Sequence, residues 1–278
     1  MQKPPVMVLC GGLGSRLQEE TESKPKPMIE IGGRPILWHI MKIYSAQGFK
    51  DFILCLGYKG HLIKDFFLNY RAYQSDLIVD LGIGKPDPPH NLQFVSDHPE
   101  DENWTVTLVE TGANAQTGAR VRKAARYLDK ASRFCLTYGD GLADIDLEAL
   151  LDCHEKHGRI GTVTGVRPPG RFGELEVDKN GLATQFNEKP QLEEGWINGG
   201  FFVFEKEFVE KYLPNRDDLV LEQEPLQKLT RDNQLTVYEH RGFWQPMDTY
   251  REFKFLNDLW ATGEPPWVRK NQMIRKIQ

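Results

Sequence analysis

Apolar and polar positions along the first 165 residues fall into blocks of two kinds. Residues 6–10, VMVLC, form a continuous apolar run, which predicts a strand buried on both faces. In residues 35–48, PILWHIMKIYSAQG, the apolar Leu37, Ile40, Met41 and Tyr44 recur at helical spacing and Gly48 supplies a stop. FILCL at 52–56 predicts a second buried strand, and Leu62, Ile63, Phe66, Phe67 and Tyr70 share one helical face over 61–70. The alternation continues: WTVTLVE at 104–110 as strand, 119–128 as helix, RFCLTYGD at 133–140 as strand, 147–158 as helix, IGTVTGV at 160–166 as strand. Such a series predicts an α/β fold, a Rossmann-like mostly parallel sheet with helices on both faces. Residues 82–103 break the rhythm with four prolines and an acidic patch, and predict an excursion from the sheet: a solvated loop, an oligomer contact or a lid.

After residue 166 the pattern changes. Residues 171–190 show a period-two run, a turn at Lys179-Asn180-Gly181 and a second run, which predicts a hairpin. Strands follow at 198–204 and 234–240, and helices at 222–233 and 247–263. The expected organisation is one domain over 1–278. Within it, 1–166 form an α/β core, 167–246 an inserted β-rich part, and 247–278 a last helix and basic tail.

Composition narrows the partners. With 35 Lys and Arg against 40 Asp and Glu the net charge is −5, so neither nucleic acid nor a membrane surface is the expected partner. No apolar run reaches the ~18 residues that a membrane span requires. The four cysteines, 10, 55, 135 and 153, lack the spacing of a disulfide framework or zinc site, and a reducing cytoplasm fits them.

The chemistry gathers at strand ends. The first strand runs into Gly11-Gly12-Leu13-Gly14-Ser15-Arg16-Leu17. A dinucleotide fingerprint would need a third glycine at Leu17 and an immediate helix, which Pro25 and Pro27 forbid; the G-x-x-x-x-G-K-[ST] pattern is absent. What remains is a loop whose N–H groups can approach a polyphosphate, with Arg16 as a fork for its oxygens and Lys26 stiffened between two prolines. Asp140 stands at the tip of the 133–140 strand, facing the same crevice; alone it could equally be a turn residue before Gly141. Asp144 and Asp146 read as a turn and a helix N-terminus. His154 and His157 read as solvent-facing on one helix. For Asp248, an N-cap of the last helix competes with a role in the site.

GGLGSRL followed by KPKPM resembles the sugar nucleotidyltransferases, and the resemblance spans nearly the whole chain through TLVETG, TYGDGLADID, PPGRFGELEV, NEKP, INGGFFVF, EQEPL and GFWQPMDT. Within that family the arrangement ETGANAQTGARV is similar to that of the members acting with CTP on glucose 1-phosphate. The resemblance implies a GT-A-like nucleotidyltransferase fold and transfer of a cytidylyl group with release of pyrophosphate. It implies catalytic roles for Arg16, Lys26 and Asp140. Nucleotide contacts are implied from Leu9, Gly11, Gly12, Leu13, Gly14, Ser15, Arg16, Lys26, Thr111, Ala115, Gly118, Arg120 and Gly139, with Arg120 facing phosphate or base. Sugar-phosphate contacts are implied from Gly173, Glu188, Lys189, Ile197 and Asn198, Mg²⁺ on Asp140 and Asp248, and a homo-oligomer, with a hexamer as one form. Open alternatives are another nucleotide (UTP, dTTP) or another hexose 1-phosphate, a catalytically silent nucleotide sensor, and a dehydrogenase. The attacking group, a phosphate monoester, is already anionic near pH 7, so no general base is expected.

Overall fold

The computed structural model describes residues 3–12, 23–82, 84, 91–95, 102–129, 131–167, 174–177, 179, 182–187 and 195–269. Seven strands form the central sheet: β1 (Val6–Leu9), β2 (Asp51–Leu56), β3 (Thr105–Glu110), β4 (Arg133–Tyr138), β5 (Gly161–Val166), β6 (Ile197–Glu205) and β7 (Leu235–His240). Their spatial order is β7-β5-β6-β4-β1-β2-β3. β1 pairs in parallel with β2 and β4, β2 with β3, and β5 with β7. The exception is β6, antiparallel to both β4 and β5. The mostly parallel sheet is therefore as expected, and residues from both halves of the chain share it.

Two apolar layers cover the sheet, as the pleat of buried strands requires. Val6 and Val8 point into one, with Leu54, Phe201 and Val203, against α1 (Ile36–Ser45), α4 (Leu147–His157) and α7 (Tyr250–Ala261). Met7 and Leu9 point into the other, with Ile53, Leu136, Phe202 and Phe204, against α3 (Thr117–Ala124), α5 (Glu207–Tyr212) and α6 (Glu224–Arg231). Remaining in chain order, α2 covers Gly60–Leu68. Phe201, Phe202 and Phe204 are fully buried, each contributing about 2 kcal/mol by area. That two-sided burial is what places β6 in the interior of the sheet.

Local signals account for the helix ends. Asp146 accepts from the N–H groups of Glu148 and Ala149 and caps α4, while Gly158, at φ +58°, ends it. The expected N-terminal role of Asp146 is thus seen. α7 is capped by Thr249, not Asp248: the Thr249 hydroxyl accepts from Glu252 N, and the Glu252 carboxylate reaches back to the N–H groups of Thr249 and Asp248. The Asp248 side chain is thereby left for other work.

Two further departures stand out. His154 is not solvent-facing; it is buried, with Nδ1 2.8 Å from the Thr162 hydroxyl and Nε2 3.1 Å from Glu205. Its neighbour on the motif, His157, is exposed. The excursion at 82–103 contains the second strand of a small antiparallel hairpin, Leu77–Val79 with Leu92–Phe94. The hairpin expected over 171–190 is present as Glu174–Val177 paired with Ala183–Asn187.

Candidate active site

Leu9 of β1 lies opposite Tyr138 of β4 in a parallel register, so the loops that follow the two strands leave the sheet at one edge. That edge is where open α/β sheets hold ligands. A cavity of about 460 Å³ opens there, and Leu9, Gly11, Gly12, Lys26, Ala115, Arg120, Gly139 and Asp140 all line it. Leu13, Gly14, Ser15 and Arg16 lie outside the described residues, as do Gly173, Glu188 and Lys189.

Lys26 opens a one-turn 3-10 helix, Lys26–Met28, behind Pro25. Its ammonium donates to Asp140 Oδ2 at 2.5 Å and to Asp248 Oδ1 at 2.7 Å. The two acids are far apart in sequence. The short strand Trp244–Pro246 pairs with Gly141–Ala143, and Met247 N donates to the Asp140 carbonyl at 2.9 Å, which ties the two acid-bearing segments together. Burial alone would lower the Lys26 pKa; the Asp140 and Asp248 carboxylates outweigh it and hold the ammonium above its ordinary value. Gly139 has no room for a side chain, since a Cβ would sit 2.6 Å from the Leu9 carbonyl oxygen. β1 and the Asp140 turn pack backbone to backbone.

Arg120, on α3, reaches the same cavity but aims elsewhere. Its Nη1 donates to the Leu56 carbonyl (3.0 Å), the Thr111 hydroxyl (2.7 Å) and the Gly112 carbonyl (2.8 Å). Its Nη2 donates to the carbonyls of Gly11 (2.8 Å) and Ala113 (3.2 Å). Five oxygens from three strand ends thus converge on one guanidinium, and no carboxylate is among these partners. Arg120 at the same time lines the 460 Å³ cavity, where contact with phosphate or base is expected. Gly11 makes room for this arginine: a Cβ there would lie 2.1 Å from Arg120 Cζ, whereas a Cβ on Gly12 would meet nothing within 4 Å. Thr111 is buried beneath the loop, donating to the Leu56 carbonyl at 2.5 Å, and does not line the cavity. Gly118 packs on Leu219, whose carbonyl accepts from Gly118 N at 2.9 Å.

A second cavity, of about 330 Å³, adjoins the first and is lined by Asn198, Gly199, Trp244 and Asp248 among others. Tyr138 and Asp140 belong to the walls of both. Ile197, the first residue of β6, is exposed beside this cavity's strand without lining it. Sequence reasoning assigned no role to Tyr138, Thr117, Glu222 or Trp244. Glu222 lies within the EQEPL motif, and Trp244 within GFWQPMDT, so their neighbourhood was visible although their task was not.

Two adjoining cavities share Asp140, and the Lys26 ammonium paired with that acid lines the larger of them, an arrangement that suits the joining of two polyanions. A profile described as Nucleotidyl transferase matches residues 5–249. The chain belongs to that family. Among its relatives in the family, the glucose-1-phosphate cytidylyltransferase of Salmonella typhimurium (strain LT2) is 46% identical over 261 residues, covering 94% of this chain and 97% of the relative. The protein of the same name from Salmonella typhi matches with equal identity and coverage. The crystal structure of HddC from Yersinia pseudotuberculosis superimposes with a TM-score of 0.67, covering 93% of this chain and 100% of HddC at 22% identity, a likeness of fold. Among the described residues no helix is long and apolar enough to cross a membrane.

Proposed function

We propose that this nucleotidyltransferase moves the cytidylyl group of CTP to α-D-glucose 1-phosphate, giving CDP-glucose and pyrophosphate. The observation that carries the reading is the 46% identity to glucose-1-phosphate cytidylyltransferase across 94% of the chain. The paired cavities sharing Asp140 support it. The larger would hold the nucleotide and the smaller the sugar phosphate. An oxygen of the sugar phosphate attacks the α-phosphorus, a new P–O bond forms, and the bond from the α-phosphorus to the bridging oxygen breaks, releasing pyrophosphate. The nucleophile is anionic near pH 7, so no side chain need remove a proton. What the protein supplies is alignment and charge. Lys26 stays an ammonium and faces the shared wall. Arg120 holds the Gly11 and Gly112 loops that frame the nucleotide. Leu13, Gly14, Ser15 and Arg16 would contact the triphosphate, and Gly173, Glu188, Lys189, Ile197 and Asn198 the sugar phosphate.

The donor set fits a divalent cation. Two carboxylate oxygens converge on one point, held at present by the Lys26 ammonium, and hard oxygen donors in ones and twos, completed by phosphate oxygens, suit Mg²⁺. Asp140 and Asp248 would hold it, and bound there it would neutralise triphosphate charge. The cysteines 10, 55, 135 and 153 are free thiols, which supports a cytoplasmic setting. Leu68, Tyr73, Ile78, Leu81 and Val95 are exposed on and beside the 77–95 hairpin and support a homo-oligomer, which light scattering would measure.

The test is pyrophosphate release from each nucleoside triphosphate against a panel of sugar 1-phosphates. CTP with glucose 1-phosphate is expected to be the most rapid pair, abolished by EDTA and restored by Mg²⁺. A more rapid pair with UTP, dTTP or another hexose phosphate would overturn the assignment, and full activity in EDTA would sink the metal role of Asp140 and Asp248.

A further inference from the structure

The wall between the two cavities is held by a chain of side-chain hydrogen bonds that the reaction as described leaves unused. The Tyr138 hydroxyl donates to Glu222 Oε1 at 2.6 Å. The other carboxylate oxygen, Oε2, accepts from the Thr117 hydroxyl at 2.7 Å, and Thr117 Oγ1 in turn accepts from Leu221 N at 2.8 Å. Both oxygens of Glu222 are therefore engaged, and the carboxylate cannot swing away from the phenol. Burial, and then the Glu222 charge, hold the Tyr138 phenol far above the ordinary tyrosine range, so it remains a donor at any working pH.

Having donated its one proton, the Tyr138 oxygen presents lone pairs, and Asn198 Nδ2 donates to it at 3.0 Å. The opposite end of that amide is set as well, because Asn198 Oδ1 accepts from Gly200 N at 2.9 Å. An amide held at its nitrogen by one partner and at its oxygen by another has one orientation. Its second N–H is then left for whatever enters the 330 Å³ cavity that Asn198 lines. Gly200 takes part through its backbone alone: its φ is +82°, and a Cβ there would lie 2.6 Å from Tyr138 Cδ2.

We propose that Tyr138 and Glu222 are positioning residues for the sugar: they lock the Asn198 amide so that one N–H always faces a hydroxyl of glucose 1-phosphate. This rests on the substrate reading above. Neither residue needs to touch the reacting phosphorus. The interaction they prepare is made to the sugar, so its loss falls on binding of that substrate and not on CTP.

The experiment is steady-state kinetics of pyrophosphate release on four variants of the full chain. Tyr138→Phe keeps the ring and removes the hydroxyl; KM for glucose 1-phosphate is expected to rise about tenfold, the effect of one hydrogen bond of roughly 1.4 kcal/mol, with little change in KM for CTP. Asn198→Ala is expected to raise the same KM by a similar factor. The Tyr138→Phe/Asn198→Ala double variant is expected to match Asn198→Ala, since the two residues act in series. Glu222→Gln, which keeps an acceptor for the Tyr138 hydroxyl, is expected to recover most of what Glu222→Leu loses. Unchanged KM for glucose 1-phosphate in Tyr138→Phe, equal rises in both KM values, or additive losses in the double variant would each overturn the positioning role. Should Glu222→Leu fail to fold, the Tyr138 and Asn198 pair decides alone. Wild-type protein that releases no pyrophosphate from CTP and glucose 1-phosphate would sink the substrate reading and this inference together, whereas an active wild type with an unaffected Tyr138→Phe would sink this inference only.

Discussion

Two cations stand at the same edge of the sheet, Lys26 half-buried and Arg120 buried, and their surroundings differ. Lys26 is met by two carboxylates, and its pKa is pushed up once their attraction outweighs its burial. Arg120 is met by four carbonyls and a hydroxyl, and burial pulls its pKa down. Its five oxygens come from the ends of β1, β2 and β3, so the guanidinium joins three loops into one rim. A cation among carbonyls has nothing to exchange; a cation between acids stands where a metal and a polyphosphate would redistribute charge. The first braces the rim of the pocket; the second faces the cavity from between two acids.

The sharpest way to break this contrast is to remove each cation in turn. Lys26→Ala is expected to lower kcat by about 10³-fold, the scale set by loss of a preorganised electrostatic group at a reacting centre. Unfolding free energy is expected to change by no more than ~1 kcal/mol, because the carboxylates of Asp140 and Asp248 are 30% and 33% exposed and water can solvate them. Pyrophosphate release and urea unfolding measure the two separately, and a lost fold would contradict the role given to Lys26.

Arg120→Met is the converse. It strands the carbonyls of Gly11, Gly112 and Ala113, and a loss of about 3 kcal/mol in urea-measured stability is expected, with unchanged m-value. A variant as stable as wild type with weakened CTP binding would return Arg120 to direct contact with phosphate or base.

The smallest effect comes from a buried group that titrates. His240 Nε2 lies 3.1 Å from Asp144 Oδ1 and 3.1 Å from the Phe243 carbonyl, at the root of the segment that carries Asp248. Burial lowers its pKa, but the Asp144 carboxylate and the Phe243 carbonyl outweigh that and raise it above 6.5. A raised folded-state pKa means stability that is fully present below the unfolded-state pKa and lost as pH rises through the folded-state value. Wild type is thus expected to lose unfolding free energy relative to His240→Gln as pH rises from about 6 to 8, by less than ~1 kcal/mol because Asp144 is 41% exposed, as urea unfolding at each pH would measure. A gap that is flat, or that widens in favour of wild type with rising pH, would remove the ion pair from the account.

These residues also mark how far a linear reading reaches. Lys26, Asp140 and Asp248 were legible because a stiffened lysine and an acid at a strand tip carry local signatures, and the family motifs supplied the third. Arg120 was visible as a cation near the crevice but not as a strut, since one arginine looks like another until the carbonyls around it are known. Asp248 was ambiguous between cap and site; Thr249 resolves it by taking the cap. His154 read as exposed because a histidine near the charged end of a helix ordinarily faces solvent, and only Thr162 and Glu205 on neighbouring strands show that it faces inward.

By itself the sequence determined the alternation of strands and helices, the parallel core, the glycine loop past β1 and the family. All of these rest on local periods, caps and turn residues acting within about a dozen positions. Tertiary structure alone decided that β6 enters the sheet antiparallel between β4 and β5, that Gly11 yields its space to Arg120, and that Tyr138 stands between two cavities with Glu222 behind it. Those outcomes depend on hydrogen bonds and buried contacts between residues tens to hundreds of positions apart. Which carbonyl meets which cation is settled only when the whole sheet has closed.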